Sequence, residues 1–199
     1  REFLLPLVKE EVTKIFFYGT GVSSEKNQEV IKSTFATFFP VAKIEVGWDL
    51  LAAARALCGN EPGIACILGT GSNSCLYDGK EIVHVVANMG WILADEGSGT
   101  YMGKRLIVDY FRNTMPPTLA KQFQARFPWT REEVLAKVYQ DEKPGAFLAS
   151  FAKFIFQHLK EPYCYKLAYA SFSDFYENTV MKYENYQSMK IHFTGSIAF

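Results

Sequence analysis

The chain carries no excess charge of either sign: 21 basic and 21 acidic residues, well mixed, give a formal net charge of +0. That balance argues against nucleic acid or an anionic membrane as the main partner. Long apolar runs are missing too, and none reaches the roughly 18 residues of a membrane span. Histidine is scarce. His84, His158 and His192 are scattered without metal-ligand spacing, so each reads as packing or surface. The four cysteines, Cys58, Cys66, Cys75 and Cys164, form no Cys-x-x-Cys pair, which leaves zinc and iron–sulfur sites without support. Cys66 and Cys75 sit in apolar strands and read as small buried residues. A reduced cytoplasmic protein is the economical reading. There is no internal repeat and no low-complexity tract. The first residues, Arg-Glu-Phe-Leu-Leu-Pro-Leu-Val-Lys-Glu, are too short and too charged a stretch for a signal peptide. They lack an initiator methionine, and the expectation is a fragment.

What is there is a 199-residue chain that is 49% hydrophobic, enough for one large or two small domains. It is organised around residues 64–103. Ile64 to Leu68 is an apolar, β-branched run of strand length. It ends in Gly69-Thr70-Gly71-Ser72, where glycines let the backbone turn and approach a ligand. Unpaired N–H groups there could form an anion-binding nest, with hydroxyls of Thr70 and Ser72 as further donors. A tight turn with no ligand is the alternative, because short glycine-rich turns are common. Asn73 to Tyr77 returns to Asp78-Gly79, a dipeptide that predicts a two-residue type I′ hairpin. Glu81 to Val86 is the third strand. One hairpin later comes Asp95-Glu96-Gly97-Ser98-Gly99, acidic and bracketed by glycine, opening a helix.

In chain order, residues 1–11 read as the end of a helix. Lys14 to Tyr18 reads as a buried strand ending in a second Gly-Thr-Gly, Gly19-Thr20-Gly21. That turn is explained by the serine-capped helix that follows, running from Ser23 or Ser24 to Phe39, with Val30, Ile31, Phe35, Phe38 and Phe39 on one apolar face. Ala42 to Val46 is a strand, and Gly47-Trp48-Asp49-Leu50 leads into an alanine-rich helix, Leu51 to Leu57. On spacing alone Asp49 reads as an N-cap or first-turn carboxylate, which the helix dipole favours. Residues 59–63 are a turn cluster and the expected domain boundary. Helices follow from Ser98, from Pro117, from the capping box Thr130-Arg131-Glu132-Glu133, over Ala146–Lys160, and from Pro162 to about Gln187. The aromatics Tyr163, Tyr165, Tyr169, Phe172, Phe175 and Tyr176 could make a homodimer surface, although core is the commoner use. Lys190 to Phe199 reads as a strand and then a glycine turn, Gly195-Ser196-Ile197-Ala198, that should open a helix. Its letters fit a plain β-to-α turn as well as a close approach to a flat base or ribose.

Gly-Thr-Gly-Ser-Asn, followed by Gly-Trp and Asp-Glu-Gly-Ser-Gly, resembles the N-acetylglucosamine kinase family, which stands beside the ATPase activators of benzoyl-CoA-type reductases. Both belong to the superfamily of sugar kinases, actin and heat-shock chaperone ATPases. The resemblance runs from about Phe16 to Phe199 and is most specific at residues 69–73 and 95–99. It implies a two-domain α/β fold of the ribonuclease-H-like, actin-like ATPase kind, with ATP in the cleft. Residues 1–62 would be the remainder of the first domain and residues 63–199 an incomplete second one.

The resemblance further implies ATP-dependent phosphorylation of an amino sugar, with magnesium. Asp49 matches the catalytic base. Gly69, Thr70 and Gly71 match the ATP-phosphate turn, and Gly195 the adenosine-contact glycine. Ser72 and Asn73 match positions that approach the sugar, and Asp95 matches the sugar-binding aspartate. Asn88, Met89 and Gly90 fall in the family's glycine–tryptophan segment. Its tryptophan is Met89 here, Trp91 is displaced by two, and the glycine before the aspartate is Ala94. Nothing before Lys14 matches the family's first phosphate loop, so the stretch alone is expected to be inactive. The alternatives are an ATPase energising a partner reductase, which the cysteine spacing disfavours, and a non-catalytic nucleotide- or sugar-binding module. A zinc-containing sugar kinase of the repressor group is disfavoured by the absence of a Cys-x-Cys cluster.

Overall fold

The computed structural model describes residues 12–198; the helix end expected over residues 1–11 lies outside them. Strands β1 (Lys14–Gly19) and β2 (Lys43–Trp48) pair in parallel, in register from Lys14↔Lys43 to Gly19↔Trp48. A parallel pair needs a crossover, and α1 (Glu25–Phe38) provides it, capped by Ser24. The buried first strand and buried helix face expected from the sequence are corrected here. Phe16 is 57% exposed, Val30 is 58% exposed, and α1 holds no buried residue. Among the described residues this sheet has two strands, which cover only part of the helix. Phe35 finds Phe17, with ring centroids 5.6 Å apart, while Val30 stays in solvent.

Helix α2 (Asp49–Cys58) begins directly at the end of β2, two residues earlier than expected, and ends at Gly59 with φ +61°. Its inner face, Leu50, Ala54 and Cys58, packs on Ala65, Cys75 and Tyr77 of a second sheet. That sheet is ordered β5-β4-β3-β6. It comprises β3 (Gly63–Leu68), β4 (Ser72–Tyr77), β5 (Ile82–His84) and β6 (Ile191–Thr194). β3 is antiparallel to β4 and parallel to β6. Side chains alternate across a strand, so Ile64, Cys66 and Leu68 face the other way and bury against Phe175, Val180 and Tyr183.

The β4–β5 turn differs from the expected type I′ at Asp78-Gly79. Its central pair lies one residue later, at Gly79-Lys80, since Asp78 N–H donates to the Glu81 carbonyl at 3.2 Å. Gly79 has φ +97° but Lys80 is not in the positive-φ region, and a type I′ turn needs both. The Asp78 carboxylate fixes this turn by accepting from the N–H groups of Lys80 and Glu81, each at 2.8 Å. A register shift at Leu76/Tyr77 accompanies a third strand shorter than the predicted Glu81–Val86.

The short turn α3 (Gly90–Leu93) leads to α4 (Gly99–Phe111), α5 (Pro117–Arg126), α6 (Arg131–Tyr139), α7 (Pro144–Ser150), α8 (Ala152–Gln157) and α9 (Pro162–Asn178). They share a core of Met102, Leu106, Phe123, Phe151, Phe154, Ile155 and Cys164. The single helix expected over Ala146–Lys160 is split. Phe151 N–H bonds to Leu148 and Phe154 N–H to Phe151, the tighter i→i+3 pattern. That step places the Phe151 ring 4.9 Å from Phe127 and 5.7 Å from Phe123. The last helix ends at Asn178, not near Gln187. Two 3₁₀ turns, Val180–Lys182 and Tyr186–Ser188, carry Val180 and Tyr183 back into the sheet core. Among the described residues no helix is long and apolar enough to cross a membrane.

Candidate active site

Three groups of the expected site residues are found at strand ends. The first lies beyond β1 and β2. Parallel pairing of Gly19 with Trp48 sets the next residues of each strand side by side. Thr20 Oγ1–H donates to Asp49 Oδ2 at 2.7 Å, and Leu50 N–H donates to Asp49 Oδ1 at 2.9 Å. Trp48 is the N-cap of α2 and Asp49 its first residue. The carboxylate thus sits where the helix dipole favours negative charge.

The second group is the β3–β4 turn. Gly69 O accepts from Gly99 N–H at 2.8 Å, and Thr70 O accepts from Thr100 N–H at 3.1 Å and Thr100 Oγ1–H at 2.6 Å. Helix α4 begins there, capped by Ser98, whose Oγ accepts from Tyr101 N–H at 3.1 Å. The turn's carbonyls are therefore tied to the start of α4. Gly69 N–H bonds to Gly71 O at 2.9 Å, so this amide is not the unpaired phosphate donor expected from the sequence. A Cβ built on Gly69 would meet nothing within 4 Å, so the turn borders open space. Gly195 covers the end of β3. Its φ is +108°, and a side chain there would overlap the Leu68 carbonyl. Ile197 N–H donates to that carbonyl at 3.0 Å. The helix expected after Gly195 is, within the described residues, a turn closed by Ala198 N–H to Gly195 O at 3.0 Å.

The third group surrounds Asp95, which is 7% exposed and adopts φ +61°. Gly71 is required beside it: a Cβ there would lie 2.6 Å from Asp95 Oδ2. Burial pushes the Asp95 carboxyl above its ordinary range; hydrogen bonds from the Asn88 side chain and the Ser72 N–H and the charge of Lys104 pull the other way. Asn88 is held twice more. Its Nδ2 donates to the Ser72 carbonyl, and its Oδ1 accepts from Gly90 N–H at 2.6 Å. Asn73 Oδ1 accepts from Ser74 N–H at 2.9 Å. Ser72, Asn73, Asn88 and Asp95 line one cavity of about 20 Å³, about one water's worth of space. Met89, in the tryptophan position of the resemblance, is 58% exposed. Trp91 turns away and packs on the helical core.

Asp95 is thus joined to Gly71, Ser72 and Asn88, and residues 69–71 to Gly195 through the end of β3. Among the described contacts none joins Asp49 to Asp95. Sequence reasoning missed Thr20, Thr100 and Lys104. Thr20 was visible as a second Gly-Thr-Gly, but its role depends on the parallel pairing. Thr100 and Lys104 lie in the first turns of α4, which the glycine contacts bring to the site. Lys104 Nζ donates to the Trp91 carbonyl at 2.5 Å. Burial pushes its pKa down, and the charges of Asp95 and Glu96 oppose that shift. The described residues hold no group of three His, Cys, Asp or Glu side chains suited to a metal ion. Magnesium that arrives with nucleotide phosphates is held largely by the phosphates and water, with only one or two carboxylates from the protein.

No protein-family model matches the chain, and no curated protein does. Among solved structures, the fold is that of an α/β sugar kinase. A crystal structure from Porphyromonas gingivalis, of a protein assigned as an N-acetylglucosamine kinase, matches with a TM-score of 0.92 and 40% identity over 98% of this chain and 70% of its own. A second from Chromobacterium violaceum, assigned likewise, matches with a TM-score of 0.70 at 17% identity over 91% of this chain and 64% of its own, a likeness of fold. The chain belongs to the N-acetylglucosamine kinase family.

Proposed function

We propose that the protein transfers the γ-phosphoryl group of ATP to a hydroxyl of an amino sugar, N-acetylglucosamine or a relative. The observation that carries this reading is Asp49, held at the start of α2 by Thr20 and Leu50, in a chain 40% identical to a protein assigned that activity. Asp49 takes the proton of the sugar hydroxyl as its oxygen attacks phosphorus, and ADP leaves. Phosphoryl transfer needs chiefly positioning and charge stabilisation. The Gly69–Thr70–Gly71 turn and Gly195 take the nucleotide; Gly195 packs its backbone against the Leu68 carbonyl at the end of β3, where a Cβ would not fit. Asp95 and Asn73 orient the sugar by hydrogen bonds, with Ser72, Asn88, Met89 and Gly90 around it. Magnesium bound with ATP would neutralise phosphate charge.

The division into residues 1–62 and 63–199, an actin-like cleft between them, and a cytoplasmic location belong to the same reading. Four buried cysteines, all free, support the last. A nucleotide- or sugar-binding module without transfer is the second reading, favoured by Met89, 58% exposed where the resemblance has its tryptophan, and by Ala94 before the aspartate.

The test is Asp49→Asn in the full-length protein. Loss of the base should lower kcat by about 10²- to 10⁴-fold and leave ATP binding near wild type. Turnover at the wild-type rate would remove Asp49 from the mechanism.

A further inference from the structure

We propose that Thr20 is a positioning residue for the base. Its hydroxyl orients the Asp49 carboxylate, and the loop after β1 exists in its present form to hold that hydroxyl. This rests on the reading of Asp49 as base.

A carboxylate at a helix start is fixed by its own backbone at one oxygen only. Here Leu50 N–H holds Oδ1 at 2.9 Å. The torsion that turns the carboxylate plane is broad and soft, so one bond leaves Oδ2 free to swing. Thr20 removes that freedom with a 2.7 Å bond to Oδ2. Each carboxylate oxygen has two acceptor sites, so Oδ2 retains one for an incoming proton.

The loop bearing Thr20 is itself pinned. Gly21, at φ +76°, turns the chain out of β1. Asn27 Nδ2 donates to Gly21 O at 2.7 Å and Gln28 Nε2 donates to Val22 O at 3.1 Å, both from α1. Ser24 Oγ caps the same helix by accepting from Asn27 N–H at 3.3 Å. The backbone on either side of the threonine is thus anchored, by β1 before it and by α1 after it. The parallel register of Gly19 on Trp48 sets the gap that the hydroxyl spans.

The experiment compares Thr20→Val, Thr20→Ser and Asp49→Asn in the full-length kinase, with kcat and both KM values measured separately. Valine keeps the shape and removes the donor. It should lower kcat by about tenfold, as loss of a hydrogen bond to a charged group does, with KM for ATP and sugar within about twofold of wild type. Serine should restore kcat. An unchanged kcat in Thr20→Val overturns the inference, as does a rise in KM alone or a loss that serine does not repair. If Asp49→Asn retains turnover, the base reading fails and the inference fails with it. If Asp49→Asn is inactive while Thr20→Val is wild type, only the role of Thr20 fails.

Discussion

Gly103→Ala sets two magnitudes against each other. Gly103 lies inside α4, where the backbone is helical and solvent plays no part. By propensity alone, alanine should stabilise the helix by about 0.8–1 kcal/mol. The packing says the opposite. A Cβ on Gly103 would overlap the carbonyl oxygen of Leu148 and come within 2.7 Å of its carbonyl carbon. Both atoms are backbone of α7, so no side-chain rotation relieves the contact. Helices α4 and α7 must part, which loosens the core around Met102, Leu106 and Leu148. Overpacking of this kind costs about 1–3 kcal/mol, occasionally more. With no flexible atom to yield, the upper end applies, and the net loss after the propensity gain is about 2 kcal/mol. For a chain of this size that is a fall in Tm of roughly 4–8 °C. Thermal unfolding followed by circular dichroism reads it. A Gly103→Ala protein as stable as wild type, or more so, refutes the reasoning that backbone contact outweighs propensity here.

Other predictions concern buried polar groups. Tyr183 Oη lies 2.6 Å from Ser74 Oγ and accepts from Val86 N–H at 3.3 Å. Tyr183→Phe should therefore cost about 1–3 kcal/mol in urea unfolding, because the buried Ser74 hydroxyl and the half-buried Val86 N–H lose their bond. Asp95, whose folded pKa is raised by burial, contributes stability that is fully present below its ordinary pKa and is lost as pH rises through the folded value. The Tm of the sugar-free wild type relative to Asp95→Asn should accordingly be highest near pH 4 and decline toward neutrality; the reverse trend would contradict the shift. Burial pushes the Cys75 thiol up to about 12 and the Cys164 thiol up to about 11, and all four thiols are buried. A thiol reagent at pH 8 should label the native protein slowly and label all four cysteines in urea.

The elements legible in the sequence were those specified locally. A continuous apolar run marked β3, the glycine turns on either side marked β4, and the Thr130 capping box marked α6, with Thr130 N–H to Glu133 Oε2 at 2.8 Å and Glu133 N–H to Thr130 Oγ1 at 3.2 Å. What escaped was decided by partners distant in sequence. The break at Phe151 exists because its ring belongs with Phe123 and Phe127. The end of α9 is set by the return of Val180 and Tyr183 to the sheet. Burial of β1 and α1 was overestimated because an apolar pattern does not say what will cover it. At the site, Gly71 and Asp95 were legible as residue types, but the close approach that leaves no room for a Cβ on Gly71 beside Asp95 Oδ2 needed the fold. Thr20 was read as part of a turn because nothing in the letters pairs residue 20 with residue 49. Their contact follows from the parallel register of two strands.

The central claim is that ATP is spent on a sugar hydroxyl. The most direct measurement is ADP release by the full-length protein across N-acetylglucosamine, N-acetylmannosamine, glucosamine, glucose and muramic-acid sugars, each against a sugar-free control. The account predicts release that depends on an amino sugar and yields its phosphate ester in equal amount. ATP hydrolysis that proceeds equally without sugar would contradict it and point to an energising ATPase. ATP binding without turnover on any sugar would point to a binding module.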